Sequence, residues 1–256
     1  MVSSPKSIDV ESPTQLGLDP ALSAAGLNVA ASLAIGEYDA LVPASWKSQE
    51  LLPNASSVIV LGSGGDRFYW TARQARPGSQ HPVDEHCEAL VTHAAERLSA
   101  AGFTAYPAFY WERKAQDRGK PGEFADFVAL ARAAGLGETS RLGLLLHPRY
   151  GPWFAIRALL LSERPTPAAV NLGVEAADRY DPCPSCSAPC VAACPGNAVS
   201  HSDVFFAERC AQTRHELAGC ANRCAARLAC PEGEEYRYAA EALSHHMTSH
   251  FRTGET

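Results

Sequence analysis

The chain has 256 residues, enough for one substantial hydrophobic core and a smaller second module. Hydrophobic residues make up 46% and charged residues 20%, and the net charge of −6 argues against a nucleic-acid binder, whose surface would be basic. The sequence shows no signal peptide, no twin arginine and no apolar run of about 18 residues. We therefore expect a cytoplasmic protein that binds neither nucleic acid nor membranes.

Strand and helix patterns alternate over the first two thirds of the chain. Apolar runs of strand length and composition occupy residues 28–35, 56–63, 103–109, 141–147 and 153–161. Helical spacing of apolar residues covers 20–25, 83–101 and 123–134, and Gly102 and Gly135 follow the last two helices. This alternation predicts an α+β fold in which helices flank a mixed sheet.

A turn signal, PRYGP at 148–152, separates two of the apolar runs. It predicts a hairpin of strands 141–147 and 153–161 at the centre of the sheet, with its turn at a cavity. Near Arg164 the composition changes to prolines and polar residues. We place the domain boundary near residue 175, after this stretch, with domain 1–175 holding the sheet and domain 176–256 holding most of the cysteines.

Eight of the nine cysteines lie in the last third of the chain, and Cys87 stands apart as a small apolar residue of a helix. The stretch CPSCSAPCVAACP holds four of them, with spacings of two, three and three residues: Cys183, Cys186, Cys190 and Cys194. This pattern is close to the C-x2-C-x2-C-x3-C-P run of bacterial two-cluster ferredoxins, with one residue inserted. In a cytoplasmic chain, crowded cysteines indicate metal ligands before disulfides.

The second half of the module also ends in Cys-Pro, at Cys230 and Pro231. In the ferredoxin run, the cysteine before proline ligates the other cluster. Pseudo-symmetry then predicts two [4Fe–4S] clusters, one held by Cys183, Cys186, Cys190 and Cys230, the other by Cys194, Cys210, Cys220 and Cys224. Two zinc sites or disulfides are the alternatives, and the Cys-Pro endings favour iron and sulfur.

One segment, HPRYGPWFAIRALLL (147–161), resembles very closely a segment of the cblC-type cobalamin-processing proteins, and HPVDEHC (81–87) is similar to a stretch upstream in that family. LARAAGLG (130–137), with the predicted hairpin, resembles the epoxyqueuosine reductases and reductive dehalogenases. The resemblance spans about residues 20–235. It implies a nitroreductase-like domain that binds cobalamin base-off, without a protein histidine on cobalt, and a ferredoxin-like two-cluster domain. It also implies that five residues border the corrin: His147, Arg149, Tyr150, Gly151 and Trp153.

The chain departs from each of these families. The segment AYPAFYWERK lacks the aspartate that supplies a proton in epoxyqueuosine reductases, and their C-terminal tRNA-binding repeats have no counterpart. The twin-arginine signal of reductive dehalogenases is absent. Animal cblC-type proteins lack the ferredoxin cysteines, so this chain resembles a cblC-type domain with its own source of electrons.

The resemblance implies an enzyme that reduces cobalamin. An external donor (a flavodoxin, a ferredoxin or a reductase) would supply electrons through the two clusters to cobalt, and the upper axial ligand would leave. The alternative is a cobalamin chaperone or electron-transfer activator that serves a downstream B12 enzyme without chemistry of its own. An epoxyqueuosine reductase-like or reductive dehalogenase-like enzyme is a more distant alternative.

Overall fold

The structure, a computed structural model, describes residues 18–109, 125–165, 180–202 and 204–248. These residues form two compact units. The first contains the described residues up to Leu136 and those that begin at Ala155, and the second contains Gly137–Phe154 and the described residues from Tyr180 onward. The expected boundary near residue 175 lies outside the described residues. The segment Gly137–Phe154, which we expected with the sheet, belongs to the unit that holds the clustered cysteines.

The described strands are β1 Val29–Ala34, β2 Ser57–Gly64, β3 Ala105–Ala108, β4 Glu138–Thr139, β5 Leu145–Leu146 and β6 Phe154–Ser162. Four of them form one sheet in the order β1-β2-β6-β3, and β4 pairs with β5. The β1–β2 and β3–β6 pairs are antiparallel. Between β2 and β6, the Ser56 amide donates to the Ser162 carbonyl and Arg157 Nε donates to Ser63 Oγ, which shows that this pair also runs antiparallel. The α+β class is therefore confirmed. The pairs among the described strands are all antiparallel, whereas the predicted mixed sheet would also contain parallel pairs.

The helices of the first unit surround this sheet. They are α1 Pro20–Ala24, α2 Ile35–Leu41, α3 Ser48–Leu51, α4 Arg67–Ala75, α5 Pro82–Ala100 and α6 Phe127–Ala133. Those of the second unit are α7 Pro189–Ala193, α8 Ala207–Glu216, α9 Ala218–Ala221, α10 Ala225–Leu228 and α11 Ala240–Thr248. None of the described helices combines the length and the apolar character needed to span a membrane.

Local sequence explains where the predicted helices begin and end. Asp19 caps α1, its carboxylate accepting from the Ala21 amide, and Asp126 caps α6 in the same way. Gly102 and Gly135 follow α5 and α6 with φ of 89° and 77°, the left-handed backbone that ends many helices. These three helices confirm the sequence prediction within a few residues, and the start of the third, at 123–124, lies outside the described residues.

The core of the first unit lies on the sheet. Every residue of β2 is buried, and large side chains such as Trp46 and Tyr38 fill the space around it. The Tyr38 hydroxyl donates to the Trp46 carbonyl at 2.6 Å, so this buried polar group is satisfied. Cys87 is buried on α5, and burial raises the pKa of its thiol to about 12. Cys87 is thus an inert apolar residue, as predicted.

The predicted central hairpin is wrong in its first strand. Residues 153–161 form β6 almost as expected, but only Leu145–Leu146 of the first run is a strand, and it pairs with β4 rather than β6. The Gly143 amide donates to the Ser140 carbonyl, and the Ser140 amide to the Leu144 carbonyl, which closes a tight turn inside the apolar run. The run was apolar because it packs in the second unit, and its internal glycine marked the turn.

We expect Gly26→Ala to lower the free energy of unfolding by about 2–3 kcal/mol. Gly26 has φ +94°, and a Cβ atom there would lie 2.7 Å from the Phe68 backbone nitrogen. Gly102→Ala is the matched control, because its φ of +89° is nearly the same and nothing lies within 4 Å of its Cβ position. Urea unfolding of both variants separates the steric cost from the backbone cost. Equal losses in the two variants would contradict the prediction.

Candidate metal centres

Four cysteines of the second unit surround one cavity. They are Cys183, Cys186, Cys190 and Cys230. Cys183 begins a short 3-10 turn, Cys190 lies in α7 and Cys230 follows α10 by two residues. Glu232 also lines this cavity. Segments about 40 residues apart in the chain thus bring these thiols to one place.

The thiols of this first group raise one another's pKa. Burial raises the pKa of Cys190, and the nearby Cys183 and Cys186 raise it further. Burial also raises the pKa of Cys230, to about 11, and Cys190 is among the groups that add to the shift. Four thiolates here would repel each other, so the charged forms require a cationic species that several thiolates bind together.

The remaining clustered cysteines form a second group. They are Cys194, Cys210, Cys220 and Cys224. Burial raises the pKa of Cys210 and of Cys220, and in both cases Cys224 and Cys194 raise it further. Cys194 therefore lies with the second group, although it follows Cys190 of the first by one helical turn. The structure brings together the two sets of four that the spacing predicts, and ligation of metal by them stays a prediction.

Backbone amides point at three of the sulfur atoms. The Ala188 amide donates to Cys186 Sγ at 3.4 Å, and the Ala198 amide donates to Cys194 Sγ at 3.3 Å. The Arg227 amide donates to Cys224 Sγ at 3.4 Å. Hydrogen bonds to ligating sulfurs stabilise thiolate charge and tune the potential of iron–sulfur clusters.

The donor set of each thiol group is the one that iron–sulfur clusters use. In the described parts of the chain, no three His, Cys, Asp or Glu side chains converge closely enough to share a single metal ion. The first group instead stands around a cavity. A zinc ion draws its thiolates to about 2.3 Å, whereas an iron–sulfur cluster places several iron and sulfide atoms between them. The four thiols of each group fit the donor set of a cluster.

His147 is fully buried in the same unit. Its Nδ1 atom accepts hydrogen bonds from the Arg149 and Tyr150 amides, at 3.1 and 3.3 Å. Burial and, to a smaller extent, the Arg149 charge together lower the pKa of His147 to about 3, so the ring is neutral and carries its proton on Nε2. That Nε2 atom has no hydrogen-bond partner among the described residues.

The next residues of the segment pack on the chain that follows Cys230. Arg149 Nε donates to the Tyr236 hydroxyl at 2.9 Å, and the Tyr150 and Tyr236 rings meet edge to face at 4.6 Å. A Cβ atom on Gly151 would lie 2.3 Å from the Glu232 carbonyl oxygen, so the two backbones touch. These contacts give Arg149, Tyr150 and Gly151 a structural role beside the first thiol group.

Trp153 belongs to a stacked trio. The Arg227 guanidinium lies 4.7 Å from the Trp153 ring centroid and 4.9 Å from that of Tyr238, and its Nη2 atom donates to the Pro152 carbonyl at 2.5 Å. All three side chains are buried. Arg227 lies in α10 between Cys224 and Cys230. The trio therefore fixes this helix to the turn segment 147–153.

Sequence reasoning missed Arg227, Tyr238 and Glu232 as parts of this region. Their partners lie roughly 50 to 85 residues away in the chain, so no local pattern marked them. For Arg214, described below, a signal existed: it lies four residues after Cys210, which places both on one face of a helix.

We expect Cys194→Ser to halve the iron and sulfide content of the reconstituted protein, from about eight of each per chain to about four. Double variants identify the cluster that is lost. Cys194→Ser with Cys210→Ser should retain as much iron as either single variant, because both cysteines serve the second group. Cys194→Ser with Cys190→Ser should lose nearly all of it. Four irons retained in the latter variant would refute the crossed assignment.

We expect Arg227→Leu to lower the free energy of unfolding by about 2–4 kcal/mol, since it removes two desolvated cation–π contacts and a charged hydrogen bond. Arg209→Leu is the control, because Arg209 also stacks on one ring, Phe206 at 4.7 Å, but is exposed. Its loss should cost about 0.5–1 kcal/mol. Denaturant unfolding of the metal-free proteins measures both, and similar costs would argue against the buried stack.

No protein-family model matches this chain, and no curated protein matches it. Solved structures do. An epoxyqueuosine reductase matches with a TM-score of 0.54 and 15% identity, over 86% of this chain and 65% of that one. A second epoxyqueuosine reductase, crystallised with an epoxyqueuosine-modified tRNA-Tyr stem loop, matches with a TM-score of 0.54 and 13% identity, over 91% of this chain and 68% of that one. A reductive dehalogenase described as B12-dependent matches at a TM-score of 0.47 with 15% identity, over 97% of this chain and 38% of that one.

The chain thus spans about two thirds of the length of the epoxyqueuosine reductases it matches. At 15% identity or less these matches concern the fold and not the activity. The dehalogenase match is too weak to support an argument. This chain has the fold of the epoxyqueuosine reductases over most of its length.

Proposed function

We propose that this protein holds two [4Fe–4S] clusters and reduces a bound cobalamin, thereby removing the upper axial ligand. The gathering of eight thiols into two groups of four carries the proposal. Iron–sulfur clusters need four thiolates each, and eight in two groups match a two-cluster module. The fold shared with the epoxyqueuosine reductases, which are named as reductases, also supports a redox role.

The protein's own residues would bind and stabilise the clusters. Cys183, Cys186, Cys190 and Cys230 would hold one, and Cys194, Cys210, Cys220 and Cys224 the other. The amides that donate to Cys186, Cys194 and Cys224 would offset part of the negative charge on the thiolates. When bound, such clusters transfer single electrons at low potential. An external donor, a flavodoxin, a ferredoxin or a reductase, would supply those electrons.

The segment 147–153 is the proposed corrin-binding segment, on the strength of its resemblance to cblC-type proteins. The state of His147 supports base-off binding without a protein ligand on cobalt. Its Nδ1 lone pair is occupied by two backbone amides, and Nε2 carries the proton, so neither nitrogen offers electrons to a metal. The buried Nε2–H donor would instead bind an acceptor.

Electron counting defines the reaction on cyanocobalamin. One electron from the donor enters the cobalamin, and cyanide leaves with the electron pair of its bond to cobalt. The protein would position the cobalamin, exclude water and deliver the electron. A cobalamin chaperone or an activator of a downstream B12 enzyme would bind the same molecule and omit this step.

The fold match supports a second candidate, an epoxyqueuosine reductase-like activity. One of the matching structures contains a tRNA stem loop, so the expectation that this chain binds no nucleic acid is open to test. The net charge of −6 argues against tRNA binding. Incubation with epoxyqueuosine-containing tRNA and a reductant distinguishes the two activities, since only the second candidate yields queuosine.

We expect the anaerobic holo-protein with reduced flavodoxin to remove cyanide from cyanocobalamin. The change in the visible spectrum of the cobalamin measures the reaction. The Cys190→Ser/Cys194→Ser variant should be slower by at least about tenfold, because both clusters are lost. An equal rate in this variant would favour the chaperone.

The electron paramagnetic spectrum of bound, reduced cobalamin should show no nitrogen splitting from an axial base, and such splitting would refute base-off binding.

A further inference from the structure

The two thiol groups lie in different electrostatic surroundings. In the first, Glu232 lines the cavity, and Tyr180 donates a hydrogen bond to its carboxylate. Arg141 lines the same cavity, and its Nη1 atom donates to the Cys183 carbonyl at 2.6 Å. One anion and one cation therefore stand at the first group.

A cation stands at the second group. Arg214 and Cys210 lie four residues apart in α8 and share a face of that helix. The Arg214 guanidinium is held there by a hydrogen bond to the Met247 carbonyl of α11. Its charge is therefore next to the Cys210 side chain, since the Cβ atoms of residues four apart on a helix lie about 5–6 Å from each other.

We propose that Arg214 raises the reduction potential of the cluster held by the second thiol group, so that this site accepts an electron before the first. The inference rests on the proposed function, since it presupposes both clusters. An electron that arrives at either site adds one negative charge. Arg214 stabilises that charge at the second group, whereas Glu232 opposes it at the first. A guanidinium is always protonated in proteins, so the effect does not depend on its titration.

The test is a redox titration of the holo-protein, followed by the electron paramagnetic signals of the two reduced clusters. Arg214→Gln should lower the ratio of reduced to oxidised protein at the second site about tenfold at a fixed potential, which equals about 59 mV for one electron. The first site should shift much less. Glu232→Gln should raise the ratio at the first site, because it removes a negative charge and keeps the Tyr180 contact.

Arg209→Gln is the matched control. Arg209 lies on the same helix, beside Cys210 in the chain, but it stacks on Phe206 and donates to the Asn197 carbonyl. Its loss removes the same charge from α8 and should leave both potentials unchanged. Equal shifts in Arg209→Gln and Arg214→Gln would overturn the proposal, since the effect would then belong to the net charge of the helix.

The unaltered chain gives a test that does not depend on how well Arg214→Gln folds. The signal that Cys194→Ser abolishes belongs to the second site, and in the unaltered protein it should appear at the higher potential. If that signal appears at the lower potential, the inference fails. If iron and sulfide are absent from the protein, the proposed function fails instead, and the two failures are distinguished by analysis of metal content before the titration.

Discussion

The crowding of thiols is the constraint on which the second unit depends. Each group of four places sulfur atoms close enough to raise one another's pKa, in surroundings that already disfavour the charged form. As thiolates they are stable only beside positive charge. The chain supplies part of this positive charge through backbone amides directed at sulfur and through Arg214. The iron of a bound cluster would supply the remaining positive charge. The folded unit therefore holds a site that a metal cluster would complete.

Two short helices connect the groups. Cys190 lies in α7 and Cys194 follows it, yet the two thiols belong to different groups. In the same way α10 lies between Cys224 of the second group and Cys230 of the first. The two helices pack against each other, and Ala226, a small residue of α10, is buried in the core with Cys190. This repeated arrangement supports the proposed crossed assignment.

The turn segment 147–153 has a structural role that does not depend on any cofactor. Arg149 and Tyr150 pack on Tyr236, Gly151 touches the backbone of Glu232, and Trp153 stacks on Arg227. All these contacts lie within the unit that holds the thiols. His147 Nε2 and Trp153 Nε1 are both buried without a hydrogen-bond partner among the described residues. Of the five residues assigned to the corrin by resemblance, these two therefore have a physical reason to donate to a further molecule.

The sequence by itself determined what depends on local pattern. The alternation of apolar residues gave β1, β2, β3 and β6, aspartate caps and terminal glycines bounded the helices, and Cys-Pro endings predicted the two groups of four thiols. Tertiary structure decided the rest. The run 141–147 looked like a sheet strand because burial in any core requires apolar residues, and only its contacts assign it to the second unit. Arg227, Tyr238 and Glu232 gained their positions from partners far away in the chain. The sequence pattern indicates which residues are buried, whereas the tertiary structure decides which charged groups and aromatic rings contact each other.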